Sequence, residues 1–72
     1  MEKNFVLIRI GLNIKKIREE KKISQQDLAA FCNFEKSNMC RIEAGRNNLT
    51  IGTLLKICEG LNVNIVEIVN VE

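Results

Sequence analysis

The sequence predicts an all-α fold of five short helices, and three observations carry that prediction. Proline is absent and glycines are few. Apolar residues recur three and four positions apart, the spacing that puts side chains on one helix face, rather than alternating as in a strand. The stretches between these stripes carry Ser, Thr, Asn or Gly where helices start and stop. With 72 residues the chain has room for one small core, so residues 1–72 are expected to form a single domain.

The first helix runs from about Phe5 to Lys22, with Val6, Ile10, Ile14 and Ile17 as its stripe. Ser24, followed by Gln25, Gln26 and Asp27, caps a second helix that continues to Cys32. Asn33 tolerates the left-handed conformation that a tight link requires. A third helix, Lys36 to Ala44, is amphipathic through Met39 and Ile42 and closes at Gly45. Arg46, Asn47 and Asn48 form a polar loop. Thr50 then caps a fourth helix whose buried face is expected to be Ile51, Leu54, Leu55, Cys58 and Leu61, ending at Asn62. Asn64 can cap a last short helix with Ile65, Ile68 and Val69, although this β-branched run also suits an extended strand.

Composition removes several function classes. Cys32, Cys40 and Cys58 are odd in number and contain no C-x-x-C pair, and no histidine is present, so neither a disulfide framework nor a structural zinc site is expected. Arg9 and Gly11 interrupt the apolar run near the start, which argues against secretion and membrane insertion and for a cytoplasmic protein with reduced thiols. Without histidine, a glycine-rich phosphate loop or a paired-acid motif, an enzyme lacks its parts, and no cofactor or small-molecule effector is indicated. The net charge of +2 is weak guidance, but residues 1–36 carry eight Lys/Arg against five Asp/Glu. Residues 57–72 carry Glu59, Glu67 and Glu72 with no basic residue, so the acidic end should face away from a polyanion.

The second and third helices form the informative pair, with Leu28, Ala29, Met39 and Ile42 locking them together. That leaves Lys36, Ser37, Cys40, Arg41 and Ala44 on the opposite face of the third helix. Over Ile10 to Val69 the chain resembles the Cro and lambda-repressor-like (XRE-type) helix-turn-helix family. The resemblance rests on Ser24-Gln25, Leu28-Ala29, Met39, Arg41-Ile42-Glu43, Gly45, Thr53-Leu54-Leu55-Lys56-Ile57 and Leu61, with the motif at about residues 24–45.

The resemblance implies a regulator of transcription that binds specific double-stranded DNA, with the third helix in the major groove. Lys36, Ser37 and Arg41 match positions that commonly touch base edges, where Lys or Arg donates to guanine and Ser serves either base type. Cys40 shares that face as a small contact. Gln25, at the start of the second helix, matches a phosphate-contacting position. Arg46, Asn47 and Asn48, with Asn38 as a weaker candidate, lie where the family meets the sugar-phosphate chain. Arg18 and Glu43 match a paired arginine and glutamate that bridge the first helix to the end of the third. Glu35 departs from the pattern, since Ser, Thr or Asp usually stands before the third helix and glutamate caps less well.

The position matching Val66 is usually polar in the family. Val66, Val69 and Val71 are therefore expected to build a homodimer interface, with Phe5, Leu7 and Ile8 as further candidates. A two-fold contact there would space the reading helices about 34 to 36 Å apart over a near-palindromic operator. The alternative is that Val66 packs against the start of the first helix and completes a monomer core. The rival function is a protein-interaction module, which would expose apolar rather than basic and polar groups on the third helix. Within DNA binding, a phage-type repressor, a restriction-modification controller and a DNA-binding antitoxin all fit.

Overall fold

How each helix stops explains most of the architecture. The computed structural model describes residues 2–71. Among these, five helices and no strand occur: α1 Lys3–Glu20, α2 Gln25–Cys32, α3 Lys36–Glu43, α4 Ile51–Leu61 and α5 Ile65–Val69. The first four end alike. Lys22, Asn33, Gly45 and Asn62 adopt positive φ of 58°, 60°, 74° and 57°, and turn the chain sharply. The next amide then donates back five residues: Ile23 to Arg18, Phe34 to Ala29, Arg46 to Arg41 and Val63 to Cys58, at 2.8–3.1 Å. This is the Schellman arrangement, which satisfies carbonyls that the helix leaves orphaned. Ile23, Phe34 and Val63 then pack onto the core, whereas Arg46 after α3 is exposed.

Two expectations are corrected here. α1 ends at Glu20 instead of Lys22, because Lys22 occupies the left-handed position that usually falls to Gly or Asn. In α4 the buried residues are Leu54, Ile57, Cys58 and Leu61, while Ile51 and Leu55 are 64% and 48% exposed. α4 carries two adjacent apolar stripes, and the core takes the one centred on Ile57.

α1 starts at Lys3 instead of Phe5, where the Glu2 carboxylate accepts from the Asn4 amide at 3.2 Å, and the later helix starts follow the sequence. Ser24 Oγ accepts from the Asp27 amide at 3.0 Å and Thr50 Oγ1 from the Thr53 amide at 3.1 Å. The start of α5 is held by the Glu67 carboxylate, which accepts from the Asn64 amide at 3.0 Å. A five-residue helix does not persist alone, so tertiary contacts must hold it. Ile68 is fully buried, and Asn13 Nδ2 donates to the carbonyls of Ile68 and Asn70 at 2.8 and 2.7 Å. These contacts make the segment after Asn64 helical rather than extended.

One core cluster joins all five helices: Ile10 and Ile14 of α1, Leu28, Ala29 and Cys32 of α2, Met39 and Ile42 of α3, the α4 stripe, and Ile68. No described helix is long and apolar enough to cross a membrane.

Candidate nucleic-acid interface

α3 is short, and its two faces differ completely. Met39, Ile42 and Glu43 are buried, while Lys36, Ser37, Cys40, Arg41 and Ala44 are exposed. The polar outer face is the arrangement expected of a DNA reader and the opposite of an apolar docking helix.

The C-terminal end of α3 is anchored by a network around Glu43. Arg18 Nε donates to Glu43 Oε2 at 2.7 Å, and Arg18 Nη2 donates to Oε1 at 3.1 Å. Both residues are buried. Arg18 Nη1 also donates to the Ile23 carbonyl at 2.8 Å, and Gln25 Nε2 donates to Glu43 Oε1 at 2.9 Å. The hydrogen bond to Glu43 raises the Arg18 pKa above its ordinary value, against the opposing effect of burial. One ion pair thereby fixes α1, the α1–α2 turn, the start of α2 and the end of α3.

Two glycines complete this anchor. A Cβ on Gly11 would lie against the Glu43 carbonyl oxygen and 2.7 Å from that of Ile42, so only glycine lets the end of α3 cross α1 this closely. Gly45 has φ +74°, and a Cβ there would meet the Ile8 backbone at 2.7 Å. In the sequence Gly45 marks a helix stop, whereas Gly11 reads only as an interruption of an apolar run. The available signal was a glycine between Ile10 and Ile14, on the buried side of an otherwise uninterrupted helix.

The phosphate candidates are not equivalent. Gln25 is half-buried and its side-chain amide serves Glu43, so its backbone amide in the first turn of α2 is what it offers an anion. Asn47 Nδ2 donates to Asn38 Oδ1 at 2.7 Å, which ties the loop after α3 to the body of α3. Arg46 and Asn48 are exposed beside them. This pairing of residues nine apart had no signature in the sequence.

At the N-terminal end of α3, Glu35 occupies the cap position with extended backbone, and its side chain makes no capping hydrogen bond. Of the cysteines, Cys40 is exposed, whereas Cys32 and Cys58 are buried. Burial pushes both buried thiols up from their ordinary value. They act as small core hydrophobes.

On the C-terminal surface, Val66 is 70% exposed, which excludes the alternative of packing against the start of α1. Val69 is at the margin of exposure, whereas Val71 packs against the core. Phe5 and Ile8 are exposed and Leu7 is half-buried.

Two helices joined by a tight left-handed turn, the second presenting a polar face beside a polar loop that carries Arg46, define a helix-turn-helix DNA-binding domain. Residues 13–72 match the Cro/C1-type HTH DNA-binding domain, and the chain belongs to this family of DNA-binding transcriptional regulators. It is 35% identical over 66 residues to the control protein C.MunI of Mycoplasma sp, covering 90% of this chain and 89% of that protein. It is also 33% identical over 60 residues to the HTH-type transcriptional regulator y4dJ of Sinorhizobium fredii, covering 83% and 78% of the two chains. The crystal structure of the wild-type restriction-modification controller protein C.Esp1396I superposes with a TM-score of 0.78 at 42% identity, covering 83% of this chain and 78% of that one.

Proposed function

We propose that the chain reads a near-palindromic operator as a homodimer in the cytoplasm, with α3 in the major groove. The observation that carries this reading is the split of α3: its buried face and Glu43 are fixed to α1 and α2, while Lys36, Ser37, Cys40 and Arg41 remain exposed on the other side. Lys36 and Arg41 donate to guanine edges, Ser37 serves either base type, and Cys40 makes a van der Waals contact. Arg46 and Asn48, the Asn38–Asn47 pair and the Gln25 backbone amide meet phosphates and set register. The controller names of C.MunI and C.Esp1396I, matched over most of their length, favour a restriction-modification controller over an antitoxin.

The self-association surface is the outer side of α4 and α5. Ile51, Leu55 and Val66 are apolar and exposed there, with Val69 at the margin, and α4 packs on α5. This supports the tail-mediated dimer expected from Val66 and Val69. It replaces Val71 with the two residues of α4.

Selection from randomised duplexes, followed by titration of the enriched site, tests the proposal. A near-palindrome should emerge, bound with steep salt dependence. Lys36→Ala or Arg41→Ala should cost about 1–3 kcal/mol and relax preference at particular bases. Sedimentation of Val66→Asp should give a folded monomer. A wild type that stays monomeric at micromolar concentration and binds an isolated half-site equally well would refute the dimer.

A further inference from the structure

We infer that Glu35 is a specificity-determining residue whose carboxylate accepts from the N4 amine of a cytosine in the major groove. This rests on the proposed groove-reading role of α3 and adds a residue outside its matched contact set. The helix caps frame the observation. Glu2, Ser24 and Thr50 each accept a backbone amide of their own helix, and at α5 Glu67 accepts from the cap residue's amide. Glu35 is exposed at the cap of α3 and engages no amide of that helix. The salt bridge between Arg18 and Glu43 lies at the other end of α3.

The partner follows from chemistry. Lys36 and Arg41 are donors and Ser37 is both donor and acceptor, so Glu35 is the only acceptor-only side chain beside the exposed face of α3. The base-edge amines in the major groove are adenine N6 and cytosine N4. Adenine N6 is flanked by acceptors on both sides, its own N7 and thymine O4, which repel a second carboxylate oxygen. Cytosine N4 has guanine O6 on one side and only C5–H on the other. A carboxylate at this position therefore selects cytosine. It also disfavours sites offering only acceptors there, since a charge with no donor would be desolvated against like polarity.

Selection from randomised duplexes with wild type, Glu35→Gln and Glu35→Ser provides the test. Wild type should enrich a C·G pair at one half-site position whose preference survives both Lys36→Ala and Arg41→Ala, with about tenfold discrimination. Glu35→Gln should move that preference towards adenine, whose N6 and N7 match an amide. Glu35→Ser should flatten it. Glu35→Gln should melt with wild type, which separates base reading from helix capping. An enriched operator unchanged in both variants overturns the role of Glu35 alone. Failure of the wild type to enrich any sequence overturns the groove-reading role of α3, and this inference with it.

Discussion

The two ends of α3 are held in opposite ways. At the C-terminal end Glu43 is buried under Arg18 and Gln25, Gly11 lets α1 approach the backbone, and Gly45 turns the chain against Ile8. At the N-terminal end Glu35 provides no cap and Lys36 and Ser37 project into solvent. The contrast separates two parts of α3: the C-terminal end is fixed to α1 through Arg18, and the uncapped end leaves Glu35, Lys36 and Ser37 exposed, with Arg41 exposed further along the same face. A helix anchored from one end keeps its angle when the residues at the other end change.

The largest effect should come from breaking the anchor. Arg18→Met leaves the Glu43 carboxylate buried without its cation and should cost about 3–5 kcal/mol in chemical denaturation. Arg18→Met combined with Glu43→Met should recover much of that stability. If the pair sets the helix angle, the double variant should still bind its operator less tightly than wild type. Equal affinity would remove orientation from the role of the pair. Gly11→Ala comes next. Alanine improves helix propensity by about 1 kcal/mol, yet the clash with the Glu43 and Ile42 carbonyls should make the net change a loss of about 1–3 kcal/mol. An unchanged or raised melting temperature would mean that the α1–α3 crossing relaxes freely.

At the uncapped end the sign reverses. Glu35→Ser supplies the missing cap and should stabilise the fold by about 0.5–1 kcal/mol, an outcome that a thermal melt reads directly. The smallest effect concerns the core on which both ends rest. Burial raises the Cys32 and Cys58 thiols, so the folded state holds these protons more tightly than the unfolded chain does. The resulting stability is fully present below the ordinary thiol value near 9.0 and is lost as pH rises through the higher folded values. A thiol reagent at neutral pH should label Cys40 first, and simultaneous labelling of all three would contradict the burial.

Much of this was legible in the sequence because capping chemistry is local. Ser24, Asn33, Gly45, Thr50 and Asn62 stand where the helices start and stop, and the Arg18–Glu43 pair was given by the family resemblance. The rest depended on what the sequence does not encode locally. Ile51 and Leu55 read as core because an exposed apolar stripe and a core use the same residue types. Lys22 hid a helix end because lysine rarely adopts positive φ. Gly11, the Gln25–Glu43 bond and the Asn38–Asn47 bond are meetings between distant segments, invisible until the helices are docked.

The Asn13 side chain links residues 55 and 57 positions apart when it takes the carbonyls of Ile68 and Asn70. The α2–α3 pair, by contrast, closes across a turn of a few residues. Loop-closure entropy rises with chain separation, so docking of α5 onto α1 is expected to follow formation of the α2–α3 pair. In hydrogen-exchange terms, the amides of α5 should open first and independently, while those of α2 and α3 exchange only with global unfolding. Asn13→Ala should lower protection in α5 alone, turning one amide side chain into the latch between a partly folded and a fully assembled protein.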